Sequence, residues 1–163
     1  MNLKCTKTLL DKLKIDTKNM KPNLVLDPSL NNWHCNILKF GRTNTLLLTH
    51  DKTLYSFFIT GYKAENFKDF GFCIKEDVFK IMYSLNFQQK QVEVILNSME
   101  NITYSKTDDK SVLASMNQIK RFVESSLYRG DDVIDINHRI NTIPLKVLGF
   151  STGGEKFSEF LNF

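Results

Sequence analysis

Glycine and proline are scarce in this sequence, with seven and three residues among 163. No stretch rich in them forms a linker, and no internal repeat divides the chain. The sequence also holds thirteen phenylalanines, whose large side chains need the cover of a folded core. The length and the 42% hydrophobic content suit one compact domain. We therefore expect a single globular domain over residues 1–163.

Long apolar runs and paired cysteines are absent as well. No segment approaches the roughly 20 apolar residues that span a bilayer. The opening MNLKCTKTLLDKLK has a charge every few residues and lacks the apolar core of a signal peptide. Cys5, Cys35 and Cys73 are odd in number, widely spaced and without a CxxC pair, which is typical of reduced cysteines. We expect a cytoplasmic protein with no membrane segment.

Blocks of like charge are missing too. The net charge is +4, and the lysines and arginines are scattered, which favours an ordinary solvated surface. Nucleic-acid binding is a possible alternative, with Tyr55 or Tyr62 available for stacking. Its basic candidates are Lys39, Arg42, Lys52 and Lys63.

The strongest structural pattern is WHCNILKF, NTLLLTH and TLYSFFI, separated by GRT and DK. It predicts a three-stranded antiparallel meander over about residues 33–59. Alternation places Trp33, Cys35 and Ile37 on one face and His34, Asn36 and Leu38 on the other. Leu46, Leu47 and Leu48 are apolar on both faces, so we expect the middle strand to be covered on both sides.

Amphipathic helices are predicted over 75–85 and 88–99, from Asp108 or Asp109, and from Asp131 or Asp132 to before Pro144. KAENFKDF predicts a further short helix, and the tail from Gly149 is left open. Short strands are predicted at Leu3–Cys5 and in NITYSK. Together these patterns predict an α+β fold, in which the meander and an added strand or two pack against several amphipathic helices.

The predicted helix KSVLASMNQI contains two serines, Ser111 and Ser115. Ser115 lies within its apolar arc, so we expect its hydroxyl to bond the carbonyl oxygen of Ser111, four residues back. A polar pocket wall is the alternative interpretation. No Gly-x-Ser-x-Gly or Ser-x-x-Lys motif accompanies either serine, which argues against a nucleophile.

The three histidines are the candidates for acid–base chemistry, because the imidazole titrates near neutral pH. Their spacing matches no metal-binding motif, and His34 and Cys35 face opposite sides of a strand. We expect no metal and no cofactor. His50 is expected in an exposed hairpin turn.

His138 falls on a helix, where we expect Asp135 and Arg139 to form an ordinary surface ion pair.

Five stretches, LKCTKTLL, WHCNIL, LLLTHDKTLYSFFI, KSVLASMNQI and INHRINTIP, together resemble a family of small bacterial proteins of unknown function, DUF6933. Cys35 stands where the family pattern has alanine. The resemblance implies no activity. It singles out the polar positions Thr6, Lys7, Asn36, Thr53, Ser56, Ser111, Ser115, Asn117 and Asn137, to which we add His50 as a binding candidate.

The sequence favours a cytosolic binding protein, an accessory or antitoxin-like module that takes a protein partner or a small polar ligand. The alternative is a hydrolase or nuclease centred on His50 or His34, with Asp51, Lys52 or Arg42 nearby. Whether the protein is an enzyme, and its oligomeric state, stay open at this level.

Overall fold

The computed structural model describes residues 1–18, 20 and 31–161. The loop expected between 19 and 32 falls almost entirely outside them. The strands are β1 (Asn2–Cys5), β2 (Asn32–Phe40), β3 (Thr43–His50), β4 (Ser56–Tyr62) and β5 (Thr103–Lys106). The helices are α1 (Lys7–Lys12), α2 (Phe70–Ser84), α3 (Gln89–Ser98), α4 (Lys110–Arg129), α5 (Val133–Ile140) and α6 (Gly153–Leu161), with a 3₁₀ turn at Lys146–Leu148.

The strands form one mixed sheet in the order β4-β3-β2-β1-β5. β2, β3 and β4 are the antiparallel meander that the sequence predicts. The two added strands lie on the β2 side of the meander, where β1 pairs in parallel with both β2 and β5. The α+β prediction is confirmed, and β1 becomes an interior strand of the sheet.

Helices cover both faces of the sheet. On one face, α1, α2, α3 and α6 pack around Trp33, Leu46 and Phe57. On the other face, α4 and α5 pack on Leu47 and Phe58. β3 is therefore buried on both sides, which explains its continuous apolar run. No helix in the described part of the chain is long and apolar enough to cross a membrane.

Aspartates start the two helices of the second face, as their sequences predict. Asp109 accepts hydrogen bonds from the backbone N–H groups of Ser111 and Val112, at 2.7 and 3.2 Å. Asp132 does the same for the first turn of α5. Each side chain satisfies N–H groups that have no partner within the helix.

The short helix predicted from KAENFKDF is wrong, because residues 64–69 form turns and α2 begins at Phe70. The backbone N–H groups of Asn66 and Lys68 bond the carbonyl oxygens three residues back, at Lys63 and Glu65, which is the pattern of successive turns. Asn66 Oδ1 also accepts the backbone N–H of Lys63 at 2.8 Å.

The prediction of an ion pair between Asp135 and Arg139 is also wrong. Arg139 Nη1 instead binds Asp131 Oδ2 at 3.0 Å, and Arg129 Nη2 binds the same oxygen at 2.9 Å. The hydrogen bond from Arg129, assisted by the charge of Arg139, holds the pKa of Asp131 below its ordinary value. The aspartate thus links the end of α4 to α5.

The cysteines differ sharply in accessibility. Cys5 and Cys35 are buried, and Cys73 is half-buried. Burial raises the pKa of Cys5 to about 12 and that of Cys35 well above its ordinary value. Because the thiolate is the reactive form, we expect one thiol of three to react rapidly with Ellman's reagent at pH 8 in the native protein. Cys73→Ser should remove that phase, and rapid native labelling of Cys5 would contradict the described burial.

Candidate functional site

A row of polar side chains crosses all five strands on the face covered by α4 and α5. In register across the sheet, it consists of Ser105, Lys4, His34, Thr49 and Ser56. All five are buried, on a face whose neighbouring positions hold Leu47 and Phe58. Because buried polar groups are costly unless they are paired, their partners define the candidate site.

Charged groups meet at the β1–β2 part of this row. Lys4 Nζ lies 2.8 Å from Asp51 Oδ2 and 2.9 Å from Asp108 Oδ1. Asp51 Oδ1 lies 2.7 Å from His34 Nδ1. Lys4 comes from β1, His34 from β2, Asp51 from the residue after β3, and Asp108 from the segment before α4. These four residues are called the ion cluster below.

The pairs in the ion cluster keep Lys4 and Asp51 charged. Burial alone would lower the pKa of Lys4, but hydrogen bonds to Asp108 and Asp51 outweigh it and raise that pKa. Burial alone would raise the pKa of Asp51, but hydrogen bonds with His34 and Lys4 outweigh it and lower that pKa. Both side chains are therefore ionised at neutral pH.

His34 is the most buried member of the ion cluster, with no exposed surface. Its Nδ1 is held by Asp51, whereas its Nε2 has no hydrogen-bond partner among the described residues. Asp108 Oδ1 lies 3.6 Å from Nε2. One donor atom from each of His34, Asp51 and Asp108 lies within 4.8 Å of the others, so among the described residues this group could hold a metal ion.

Two asparagines, Asn137 in α5 and Asn141 directly after it, bind the outer edge of β4. The Asn137 carboxamide accepts from the N–H of Phe58 at 2.8 Å and donates to the Phe58 carbonyl oxygen at 2.7 Å. Asn141 repeats this with the N–H and carbonyl oxygen of Ser56, both at 2.7 Å. Each amide also donates to the carbonyl oxygen four residues back in α5. The edge strand is thereby paired with side chains in place of another strand.

The spacing of this motif has a simple geometric origin. Four residues of an α-helix rise about 6.0 Å, and two residues of a strand advance about 6.8 Å. Side chains at 137 and 141 therefore reach every second residue of a strand that runs beside the helix. Asn137, a predicted binding residue, belongs to this structural motif.

A cavity of about 300 Å³ opens between α5, α6 and the segment that joins α2 to α3. Tyr55, Phe87 and Phe157 provide its aromatic wall, and the rings of Tyr55 and Phe157 stack with centroids 4.4 Å apart. The remaining lining residues are Leu85, Asn86, Gln91, Asn137, His138, Asn141, Thr142, Gly154 and Ser158. No carboxylate, ammonium or guanidinium group is among the described lining residues.

Several predicted binding residues lie in separate pairs. Thr6 donates to Asn36 Oδ1 at 3.1 Å, and Ser56 Oγ lies 2.8 Å from Thr49 Oγ1. Lys7 is exposed on α1.

The expectation of an exposed His50 is wrong. His50 is the last residue of β3 and is fully buried, with ring contacts to Trp33, Phe157 and Phe160. Its Nδ1 lies 2.9 Å from the hydroxyl of Thr53, which is buried as well. The turn begins one residue later than the pattern suggests, so the imidazole belongs to the aromatic core.

The predicted hydrogen bond between Ser115 and Ser111 in α4 is confirmed. Ser115 Oγ donates to the Ser111 carbonyl oxygen at 3.0 Å. Both serines line a hollow of about 430 Å³ shared with Leu145 and Val147, which includes neither Asn36 nor Thr53. Asn117 is exposed.

The basic candidates are divided between two ends of the meander. Lys39, Arg42 and Lys63 lie near the β2–β3 turn and the end of β4. Lys52 lies at the opposite end, with its Nζ 6.0 Å from the centroid of the Phe160 ring.

The sequence interpretation missed Lys4, Asp108 and Asn141. A lysine between Leu3 and Cys5 in a buried strand was a signal that it needs a counter-charge. Asn141 repeats Asn137 at a spacing of four residues. Asp108 has no local signal, because its partners are far away in sequence.

The family model described as a domain of unknown function, DUF6933, matches residues 2–155. The chain belongs to this family. No curated protein matches it. The expected resemblance is confirmed, and the DUF6933 match spans every member of the ion cluster and both edge-binding asparagines. The family name carries no activity.

Proposed function

We propose that this DUF6933 protein binds a small, uncharged polar ligand with a flat apolar face. The site is the cavity between α5, α6 and the α2–α3 segment. The observation that carries the proposal is its lining, which combines aromatic rings with amide and hydroxyl groups and the imidazole of His138, and has no carboxylate, ammonium or guanidinium group among the described residues. Small-molecule sites typically have this composition, and about 300 Å³ is the lower end of their size range.

Ligand charge is the property that this lining selects. A phosphate or carboxylate in the cavity would lose hydration without gaining a lysine or arginine as counter-charge, which is unfavourable. A neutral amide or heterocycle loses less, and its ring can pack against Tyr55, Phe87 and Phe157. We therefore expect neutral ligands to be preferred over their anionic analogues.

A few of the side chains that line the cavity are available to form hydrogen bonds with the ligand. The carboxamides of Asn137 and Asn141 are engaged with β4. Gln91 uses its oxygen to accept the N–H of Gln88 at 3.1 Å, which leaves its amino group for the ligand. Ser158 is exposed at the cavity wall and offers a hydroxyl. A ligand with one acceptor and one donor beside a ring suits this arrangement.

Matched pairs of probes test the proposal. Nicotinamide and nicotinate, and benzamide and benzoate, share a ring and differ in charge. We expect the amides to shift the backbone NMR signals of Gly154 and Ser158 and to bind at least about tenfold more tightly than the acids, since an unpaired buried charge is strongly disfavoured. Ser158→Trp should fill the cavity and abolish the shifts.

Ser125→Trp is the matched control, because it places the same ring on an exposed position of α4 away from the cavity. Equal binding of the acids, or binding unchanged in Ser158→Trp, would exclude the proposed site. So would the absence of any shift at Gly154 with millimolar amides.

A histidine-centred hydrolase or nuclease is the second candidate. It is supported by the 2.7 Å contact between His34 Nδ1 and Asp51 Oδ1, an arrangement in which a carboxylate orients an imidazole for proton transfer. No serine, threonine or cysteine among the described residues bonds its Nε2. The test is hydrolysis of p-nitrophenyl acetate and bis-p-nitrophenyl phosphate. Rates that His34→Gln leaves unchanged would eliminate this candidate.

The proposal includes a cytoplasmic location in a bacterial cell. The free thiols of Cys5, Cys35 and Cys73 support it, because reducing compartments maintain free cysteines.

A further inference from the structure

We propose that His34 and Asp108 bind a divalent transition-metal ion of the Zn²⁺ class, with Asp51 holding the imidazole in place and Lys4 as the competing cation. This site shares no residue with the ligand cavity, so it stands independently of the proposed function.

The buried imidazole is the first observation. Asp51 Oδ1 can only accept at His34 Nδ1, so Nδ1 carries a hydrogen, and in the neutral imidazole the lone pair lies on Nε2. That lone pair faces Asp108 Oδ1 at 3.6 Å and has no hydrogen-bond partner among the described residues. Two electron-pair donors that face each other, one of them fully buried, favour a cation between them.

The separation of the two donors fits a metal ion. Zinc binds imidazole nitrogen at about 2.0–2.1 Å and carboxylate oxygen at about 2.0–2.2 Å, so neighbouring ligands in a tetrahedral site lie about 3.3–3.5 Å apart. The 3.6 Å between Nε2 and Asp108 Oδ1 is close to that value. A nitrogen ligand also favours zinc and its neighbours over magnesium or calcium.

Asp51 makes the hydrogen bond that metal-binding histidines usually have on the ring nitrogen that does not bind the metal. A carboxylate on the far ring nitrogen sets the tautomer and the ring orientation. Asp51 does this from a side chain that is 16% exposed. Its second oxygen faces Lys4. One ligand atom from each of His34, Asp51 and Asp108 lies within 4.8 Å of the other two.

Lys4 gives the proposal a distinctive consequence. Its ammonium lies between the two carboxylates and compensates the charge that a metal ion would compensate. Metal binding therefore displaces Lys4 Nζ, which its flexible four-carbon chain permits. Asp108 is 60% exposed and provides the path to solvent. Removing the ammonium is expected to strengthen metal binding, although it removes two ion pairs.

The experiment is a calorimetric titration of chelator-treated protein with ZnCl₂, read in parallel by the NMR signals of the His34 ring. Wild type should bind one ion. Asp108→Asn, at a largely exposed position that tolerates substitution, should weaken binding at least about tenfold, and Lys4→Met should strengthen it about tenfold.

Asp109→Asn is the matched control, because it makes the same change one residue away and asparagine still caps α4. His138→Ala tests the exposed histidine. Neither should change the affinity. No saturable binding, binding lost with His138→Ala, or an affinity that Asp108→Asn leaves intact would overturn the proposal. Weaker binding by a folded Lys4→Met would overturn the displacement of Lys4.

Discussion

Asn137→Ala is expected to destabilise the protein by about 2–4 kcal/mol, because each buried backbone group left without a partner costs about 1–3 kcal/mol. The substitution leaves the N–H and the carbonyl oxygen of Phe58 unpaired at the edge of β4. It also removes the bond to the Val133 carbonyl oxygen. The measurement is the midpoint of urea unfolding, with the free energy taken from linear extrapolation.

Two further variants sharpen this experiment. Asn137→Asp keeps the shape and the acceptor but cannot donate to Phe58 or Val133, and it buries a charge, so it should be at least as damaging. Asn117→Ala removes an exposed asparagine from α4 and should change stability by no more than about 0.5 kcal/mol. Equal stability of Asn137→Ala and Asn117→Ala would refute the edge-binding role.

Asp51→Ala is expected to destabilise the protein by about 3 kcal/mol, since removing one member of a buried ion pair leaves an uncompensated charge. The lost carboxylate binds both Lys4 and His34. Lys4 retains Asp108, whose side chain is largely exposed, and this keeps the loss at the lower end of the usual range. Chemical unfolding followed by circular dichroism measures it.

A double substitution separates charge from packing in this prediction. Lys4→Met removes the ammonium, so Asp51→Ala with Lys4→Met should recover at least half of the stability that Asp51→Ala loses. Asp11→Ala, at an exposed position of α1, is the surface control and should be nearly neutral. A double variant less stable than Asp51→Ala would show that the lysine chain contributes mainly by packing.

The meander and the capped helices could be predicted because their patterns are local. The alternation in WHCNILKF and the aspartates before α4 and α5 act within a few residues of themselves. KAENFKDF differs from its prediction locally as well, since its backbone bonds join residues three apart, as in turns. Short-range chemistry thus accounts for most elements.

The candidate site could not be predicted in the same way. Lys4, His34, Asp51 and Asp108 come from four separate segments, and only the strand order brings them together. Nothing in the sequence around Leu3–Cys5 indicates that this strand lies between two parallel neighbours. The asparagine pair was within reach, because INHRIN shows the spacing directly, but its partner strand was not.

The position of β1 has a consequence for the order of folding during synthesis. It is made first, yet its neighbours β2 and β5 follow about 30 and 100 residues later. A nascent chain that ends before Thr103 can pair β1 on one side only and presents an open strand edge. Because Asp108 follows directly, the second carboxylate for Lys4 is made just after that edge can close. Completion of the sheet and of its charged cluster is therefore one late event, and shorter chains are expected to depend on protection from aggregation.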